Sequence, residues 1–363
     1  MGSTSPMHDS KLAKETSPEE HVTEFQPMTW SLKEIRAAIP AHLFLRDTFH
    51  GLRFLTRDVL LAAVIWKAGT CIDPLCQRAE LQVAITGLGA EVVRWIAWST
   101  YWWFQGLVFT GIWVIGHETR SDLGLPRKDS QDIDWEDYFG DTPIYTLLVL
   151  VRQQLLAFPA YLLFNVSGQK VYPPWTNHFN PNSVLFTKEQ ASLVLLSNTG
   201  LLLAAICLRL ACKQWGAIAV IKYYGIPWLL VTHWFIMITF LHHTDPLLPH
   251  YRGKAWNYQR GAAATVDRNF LGWQGRFFLH DVAHFHVIHH FFPKMPFYHG
   301  PEATMHLKAF IGEHYMYSDK PIFNALWDNY NSCQFVEDEG SVLFYRDRTG
   351  KAIRRPAAPY ATA

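Results

Sequence analysis

The sequence predicts an all-α integral membrane protein with about four transmembrane helices and a histidine-rich cap on the cytosolic side. Long apolar runs recur along the chain, and a cluster of histidines follows the last of them. Of the 363 residues, 49% are hydrophobic and 17% are charged, a low charged share beside the usual quarter. The 15 Trp residues suit membrane interfaces. A formal net charge of +1 gives no argument for nucleic-acid binding.

The chain ends are predicted to lie outside one membrane domain. Residues 1–28 are rich in Ser, Glu, Lys and Pro and hold no apolar core with a cleavage site, which predicts a disordered tail and no cleaved signal peptide. The domain is expected to span residues 29–350, followed by a C-terminal tail at 351–363. Ser31–Glu34 is a capping box that predicts a short amphipathic helix at the membrane surface, ending at Pro40. The 5 cysteines show no zinc-type spacing and are expected to be free thiols.

Four apolar runs are predicted to cross the membrane. The first, Val59–Trp66, is the weakest and needs extension to Cys71 to approach the required length. The other three are longer, and the last two are joined by a short Lys213–Gln214 connection that predicts a helical hairpin. These three runs are Val92–Gly116, Ala191–Cys212 and Trp215–Leu241.

A fifth run, Ile144–Val166, is apolar enough to cross but is interrupted by polar residues and a proline. The interrupting residues are Arg152, Gln153, Gln154 and Pro159. We expect this run to lie in the membrane plane or to re-enter. With a cytosolic N-terminus and four crossings, His117, His243 and the later histidines then share one face. If Ile144–Val166 also crossed, His117 would face the opposite side from the rest.

The distribution of basic residues favours the cytosol for the histidine-bearing face. Five basic residues follow the last predicted span, whereas the hairpin turn has Arg209 and Lys213 nearby. The five are Arg252, Lys254, Arg260, Arg268 and Arg276.

His286, His289 and His290 form an HxxHH pattern just after the last span. On a helix, positions i, i+3 and i+4 share one face, so three imidazoles can converge. Imidazole binds iron, copper, zinc and nickel, so the pattern predicts a metal site without naming the metal. The alternative is a polar helix face with solvated histidines.

Two further histidines lie at the ends of predicted spans. His243 closes the last span, and His117 closes the Val92–Gly116 span. Each is either an interface residue or an additional ligand delivered from a helix terminus. Glu118, beside His117, is a candidate to accept a hydrogen bond from a ligating imidazole and orient it.

Several segments resemble membrane fatty-acid desaturases of the fungal delta-12 (oleate) type, and the resemblance covers most of residues 30–350. The matching segments are Arg36–His42, Trp113–Glu118, Asn180–Ser183, Leu241–Tyr251, His280–Tyr298 and Val336–Gly340.

The resemblance implies a non-haem di-iron enzyme that removes two hydrogens from an acyl chain with dioxygen and electrons relayed by cytochrome b5. It also implies a hydrophobic slot for the acyl chain between the membrane helices and a location in the endoplasmic reticulum membrane. Iron ligands are then expected at His117, His243, His286, His289 and His290. Glu118, His280, Asp281 and His284 are expected beside the ligands rather than among them.

The sequence departs from this family at two of its three histidine boxes. The first box, HxxxH, begins at His117 but has Ser121 in place of its second histidine, and the second box, HxxHH, is absent. The simplest account is an internal deletion of several dozen residues with its seam at Glu118/Thr119. Of the family's nine ligands this chain retains five, which suffices for one metal but not for two irons at normal coordination.

Three interpretations of function follow. The chain is an acyl desaturase or a close relative, such as a hydroxylase or acetylenase, that acts on lipid-linked oleoyl chains. Alternatively, it is a desaturase-derived membrane protein that has lost catalysis. A third alternative is a mis-spliced or mispredicted gene product.

Overall fold

The computed structural model describes residues 23–78, 87–117, 143–166 and 172–358. Glu118, Ser121 and the predicted seam at Glu118/Thr119 lie outside these residues. Twelve α-helices are described here in chain order: α1 Leu32–Ala37, α2 Thr48–Thr70, α3 Ile72–Cys76, α4 Gly87–His117, α5 Pro143–Phe164, α6 Ala191–Trp215, α7 Ala217–His243, α8 Tyr258–Ala263, α9 Trp273–Phe278, α10 His286–Phe291, α11 Gly300–Ile311 and α12 Ile322–Ser332.

The described strands are short and form three two-stranded pairs. They are β1 Thr23–Phe25, β2 His250–Tyr251, β3 Asp267–Arg268, β4 Tyr317–Ser318, β5 Val342–Leu343 and β6 Arg354–Pro356. β1 pairs with β6 and β3 with β4 in parallel, and β2 pairs with β5 antiparallel. The mainly helical fold predicted from the sequence is therefore confirmed.

Residues from both predicted tails pair with each other, and the boundaries of the tails stay predictions. β1 lies within the predicted N-terminal tail and β6 within the predicted C-terminal tail, yet they pair with each other. Phe25 is buried at this pair, and its ring contacts Phe344 edge-on at 5.5 Å. Backbone pairing and one buried aromatic residue thus draw part of each tail into the fold.

The capping box at the start of α1 is confirmed. The backbone N–H of Ser31 donates to the Glu34 carboxylate at 2.8 Å, and the Glu34 N–H donates to the Ser31 hydroxyl at 3.3 Å. Ile35 of α1 is fully buried in a cluster with residues of α10 and α11, and the location of α1 at a membrane surface stays a prediction. The five cysteines are free thiols, as expected.

Four described helices are long and apolar enough to cross a membrane: Thr48–Cys76, Pro143–Phe164, Lys188–Trp215 and Ala217–His243. Three of them include predicted spans. The first is longer than the weak run Val59–Cys71 because Asp47 caps its start by accepting from the His50 N–H at 3.1 Å. The last contains a π-helical turn over Ile221–Gly225, before its α-helical part Ile226–His243.

Helix α4, which contains the predicted span Val92–Gly116, is the central helix of the bundle. Several of its Trp, Tyr and Gln side chains are buried, among them Trp98, Tyr101 and Gln105. Gln105 donates to the Ala62 carbonyl of α2 at 3.3 Å, and the Tyr101 hydroxyl donates to the Tyr223 carbonyl of α7 at 2.8 Å. These contacts satisfy polar groups within the bundle.

Helix α4 runs antiparallel to α2 and parallel to α7. At its middle Tyr101 reaches Tyr223, and near its end the ring of Trp113 lies 4.6 Å from that of Phe235. Parallel packing places the last residues of α4 and α7 at the same end of the bundle. His117 and His243 therefore end their helices on one side, although the His117 side chain lies outside the described part of the structure.

Helix α5 is a continuous helix that contains Pro159. Its contacts with α7 stay near the C-terminal half of that helix: Phe158 contacts Phe235 at 4.9 Å between ring centroids. The adjacent cavity is lined by Gln154 of α5 and His233 of α7. Length and composition allow this helix to cross a membrane.

A charged cluster ties three helices together at the end of the bundle opposite His243. Both oxygens of Asp73 accept hydrogen bonds: Oδ1 from Arg94 Nε at 2.8 Å and Trp98 Nε1 at 3.0 Å, and Oδ2 from Lys222 Nζ at 2.5 Å. The Lys222 ammonium also lies 3.8 Å from the ring centroid of Trp98. The cluster joins the α2–α3 end to the starts of α4 and α7.

We expect Asp73→Asn to lower the stability of the bundle by about 1–3 kcal/mol, because hydrogen bonds to an ionised group lose strength when the charge is removed. Thermal unfolding of the purified protein in detergent measures the effect. Glu91→Gln is the matched control, since Glu91 is exposed and pairs with Arg94 at 3.1 Å, a surface pair worth about 0–1 kcal/mol. Equal effects of the two changes would contradict a stabilising role of Asp73.

Candidate metal centre

Three imidazoles meet where α7 ends and α10 begins. His243 is the last residue of α7, and His286 and His290 lie one turn apart on α10. The Nε2 atom of His286 lies 3.3 Å from Nε2 of His243 and 3.1 Å from Nε2 of His290. The ligand atoms of all three lie within 4.8 Å of one another. The structure thus brings three of the predicted ligands into one group.

The spacing of these nitrogens fits a single metal ion. Imidazole nitrogens bind a transition metal at about 2.1 Å, so neighbouring ligands place their nitrogens about 3.0–3.4 Å apart. The separations of 3.1 and 3.3 Å fall in this range. His286 Nδ1 lies 3.2 Å from the Val282 carbonyl, to which it can donate. That hydrogen bond fixes the tautomer and leaves the lone pair of Nε2 for a metal.

The α10 histidines of this group favour the neutral form. Burial, followed by the proximity of other imidazoles, lowers the pKa of His286 and of His290 well below the ordinary value. Neutral imidazole is the form that binds metal. Both side chains are therefore ready to bind at neutral pH without first losing a proton.

Among the described residues, the predicted ligand His289 is not part of the group. The ring centroid of His289 lies 5.9 Å from that of His286 and 6.0 Å from that of His290, because successive residues of the short α10 point in different directions. The side chain of His117 and all of Glu118 lie outside the described residues. Metal ligation by His117 and His289 and an orienting role for Glu118 stay predictions.

His280, predicted to lie beside the ligands, contacts a membrane helix instead. Its Nε2 atom lies 2.6 Å from Oδ2 of Asp58, a buried residue of α2. Arg57 completes this buried group, with its Nη2 atom 2.9 Å from Asp58 Oδ1 and donating to the Phe277 carbonyl at 2.8 Å. The group fastens the turn before α10 to α2, so it fixes where the turn lies.

Asp281 and His284 also contact groups other than the three ligands. Oδ1 of Asp281 lies 3.7 Å from Arg276 Nε and 3.8 Å from His284 Nδ1. His284 Nε2 lies 3.4 Å from Oδ1 of Asn269. Burial raises the pKa of Asp281, and burial together with Arg276 lowers that of His284 to about 4. His280 and His284 have HxxxH spacing, but their imidazoles contact different partners.

The backbone turns sharply just before α10. His280 and Asp281 both have positive φ, 53° and 62°, which costs about 1–3 kcal/mol for each such residue. The turn packs closely on α4 at Gly111, where a Cβ atom would lie 2.1 Å from the Phe278 carbonyl oxygen. Glycine at position 111 therefore allows the approach of α4 to the segment that carries the histidines.

Thr265–Arg268 is the part of the site that the sequence analysis missed. The Thr265 hydroxyl donates to the His242 carbonyl at 2.8 Å, next to His243. Asp267 and Arg268 are fully or almost fully buried. They are the only charged residues between Gly261 and Gly275 in an otherwise uncharged stretch, and this isolation was the available signal.

The family model for fatty acid desaturases matches residues 88–320. The chain belongs to the fatty acid desaturase family. It is 37% identical to a delta(12) fatty acid desaturase of Mortierella isabellina, with 89% of this chain and 92% of that protein covered. It is 32% identical to an oleate hydroxylase of Claviceps purpurea, with 89% and 82% covered. Membership and the delta(12) relatives indicate an oxidoreductase.

The alignments with these relatives are longer than the desaturase-like chain itself. The match to the Mortierella isabellina protein runs over 382 positions and that to the Claviceps purpurea protein over 403, against 363 residues here. Since 89% of this chain takes part in each alignment, each relative has several dozen residues at positions where this chain has none.

We expect the purified protein to bind one Co²⁺ ion at the three-histidine group. His243→Ala, His286→Ala and His290→Ala should each weaken binding at least tenfold, because each removes a ligand nitrogen. Titration followed by visible absorption measures stoichiometry and affinity. His306→Ala, on α11, is the control and should bind as the unchanged chain does. Unaltered affinity in the three variants would show that the metal binds elsewhere.

Proposed function

We propose that this protein is a delta-12-type acyl-lipid oxidoreductase that binds iron at His243, His286 and His290. The observation that carries the proposal is the convergence of these imidazoles at spacings suited to one ion. Iron with dioxygen supplies an oxidant strong enough to break an unactivated C–H bond, which no side chain provides. The histidines hold the ion, and the surrounding apolar side chains keep water away from it.

A cavity of about 370 Å³ supports an acyl chain as the substrate. It lies between α5, α7 and α12 and is lined mainly by apolar side chains, including Leu150 and Leu326. His233, on its wall, precedes His243 by ten residues, which is about 15 Å along a helix. The methylene chain of a membrane lipid fits such a lining, and its reacting carbons would lie towards the histidines.

The electron donor proposed for this reaction is cytochrome b5. The support is the family resemblance, together with exposed basic groups in the cap such as Lys254 and Arg276. Not all basic residues after α7 are free for such contact. Arg260 donates to the Met28 and Ala255 carbonyls, and Arg268 is buried.

A second candidate function is a desaturase-like protein that binds lipid and metal but no longer turns over. The observation that favours it is the ligand count, since the described residues assemble one group of three histidines. The longer relatives support an internal deletion, which we place at Glu118/Thr119. Reading the transcript across the codons for these two residues distinguishes a genuine deletion from a faulty gene product.

We place the protein in the endoplasmic reticulum membrane with its histidines on the cytosolic side. A relative from Brassica juncea, 29% identical, is named an omega-6 fatty acid desaturase of the endoplasmic reticulum. Because α4 and α7 are parallel, an even number of crossings must separate their ends. If α6 and α7 both cross, they supply the two crossings, and α5 then lies in the plane or re-enters.

Arg152 supports this placement of α5. It is exposed halfway along the helix, on the same face as Leu148 and Leu155. A charged group at the centre of a crossing helix costs about 2.5–3.5 kcal/mol, whereas an in-plane helix keeps it among lipid headgroups. The α2, α4, α6 and α7 helices would then make the four crossings.

We expect N-glycosylation acceptors introduced near residues 130, 180 and 260 to stay unmodified, and one at Gly216 to be modified in microsomes. The first three are expected in the cytosol, and Gly216 in the lumen at the hairpin turn. The readout is a shift in gel mobility that endoglycosidase reverses. Modification at 130 with none at 260 would mean that α5 crosses the membrane.

The second candidate predicts that expression in a host that makes oleate but not linoleate yields little or no linoleate, because too few ligands remain for two irons. Gas chromatography of total fatty acids measures the product. The Mortierella isabellina desaturase serves as the positive control. Linoleate within tenfold of that control would contradict the second candidate and favour an active enzyme.

A chimera sharpens this experiment. The relative's segment that has no counterpart here is inserted between Glu118 and Thr119, and its product is compared with that of the same chimera carrying His290→Ala. Recovery of linoleate in the first and loss in the second are expected if the seam is correctly placed. No recovery, with the chimera present at normal levels in the membrane, would count against the seam.

A further inference from the structure

The candidate metal ligands come from two elements that are far apart in the sequence. His243 ends α7, whereas His286 and His290 lie on α10, more than forty residues later. Their nitrogens fit one ion only if the end of α7 and the start of α10 are held in register. The short strand β3, Asp267–Arg268, lies between these two ends.

Arg268 holds the end of α7. Its Nε atom donates to the Leu241 carbonyl at 2.7 Å, and its Nη2 atom donates to Oδ2 of Asp245 at 2.6 Å, just beyond the helix. The last carbonyls of a helix have no partner within the helix. A guanidinium satisfies them and complements the negative end of the helix dipole. Only 1% of Arg268 is exposed, so this contact is shielded from water.

Asp267 holds the start of α10. Its Oδ1 atom accepts from the Val287 N–H at 2.7 Å, and the backbone N–H of His286 donates to the same carboxyl group. The Tyr315 hydroxyl donates to Oδ2 at 2.5 Å. Burial raises the pKa of Asp267 to about 7 and these donors act in the opposite direction, but Oδ1 can accept in either protonation state. The carboxyl group thus fixes the backbone of a ligand residue.

The geometry of β3 explains why two neighbouring residues reach two different elements. Successive side chains of a strand point to opposite sides. Asp267 therefore faces the first N–H groups of α10, and Arg268 faces the last carbonyls of α7. The backbone of β3 adds to the link, because Arg268 N–H donates to the Ala283 carbonyl at 3.0 Å.

We infer that Asp267 and Arg268 are positioning residues that set the distance between His243 and the pair His286 and His290. The inference rests on the proposed function for its purpose, the binding of a metal, but the distance itself can be tested without a metal. Neither residue is a ligand. Each acts through backbone groups of the helices that carry the ligands.

The first test measures metal affinity. We expect Asp267→Ala and Arg268→Gln to weaken Co²⁺ binding tenfold or more and to alter its visible spectrum, since loss of an orienting partner typically costs about 10–100-fold in affinity. Asp267→Asn should retain most of the affinity, because its amide oxygen can still accept from Val287. The Co²⁺ affinity of Arg268→Lys should lie between that of Arg268→Gln and that of the unchanged chain.

A second test uses no metal. In a background that lacks the five native cysteines, His243→Cys and His290→Cys are combined and a short bifunctional thiol reagent is applied. The cross-link should form at least tenfold more slowly when Asp267→Ala or Arg268→Gln is added. If the unchanged chain binds no Co²⁺ but this slowing occurs, the proposed function fails and the positioning role stands.

Two control variants separate positioning from general stability. Asp73→Asn removes a carboxylate that accepts hydrogen bonds from three donors at the far end of the bundle. It should lower the melting temperature without slowing the formation of the cross-link. Tyr315→Phe removes a donor to Asp267 Oδ2 but leaves the hydrogen bond from the Val287 N–H. It should therefore lower the melting temperature more than it slows the formation of the cross-link. Cross-linking of Asp267→Ala at the unchanged rate, with a melting temperature lowered as in Asp73→Asn, would overturn the inference.

Discussion

The site depends on one constraint: the backbone groups left unpaired at two helix ends must be satisfied in a buried place. The last carbonyls of α7 and the first N–H groups of α10 both lie inside the cap, where water cannot form hydrogen bonds with them. Arg268 and Asp267 supply the partners from one two-residue strand. The same bonds that satisfy these groups bring His243 next to His286.

Local patterns in the sequence predicted the helical elements well. The capping box at Ser31 and the helix carrying the HxxHH pattern are present. These features depend on residues within a few turns of one another. The burial of Ile35 on α1 could not be predicted from local patterns, because it depends on α10 and α11, which lie far away in the sequence.

The composition of the metal centre was harder to predict. Spacing alone placed His286, His289 and His290 on one helix face, but α10 is six residues long and the His289 ring lies apart from the group. The position of His280 depended on Asp58 in α2, more than two hundred residues earlier. No periodicity in the sequence reports a contact of that kind. The positioning residues Asp267 and Arg268 were not predicted, because two adjacent charged residues normally indicate an exposed loop.

The side chains of helix α6 are less constrained by packing than those of the other helices in the bundle, because nearly all of them are exposed on the protein surface. Val194 is the one buried residue of this helix. Lipid tails have no fixed shape, so they select for hydrophobicity and not for a particular side chain. Leu, Ile, Val and Phe can replace one another there during evolution, whereas Gly111 has no substitute that fits beside Phe278. Ancestry should therefore be read from the cap and the central helix, because in α6 similarity to other membrane proteins can arise from composition alone.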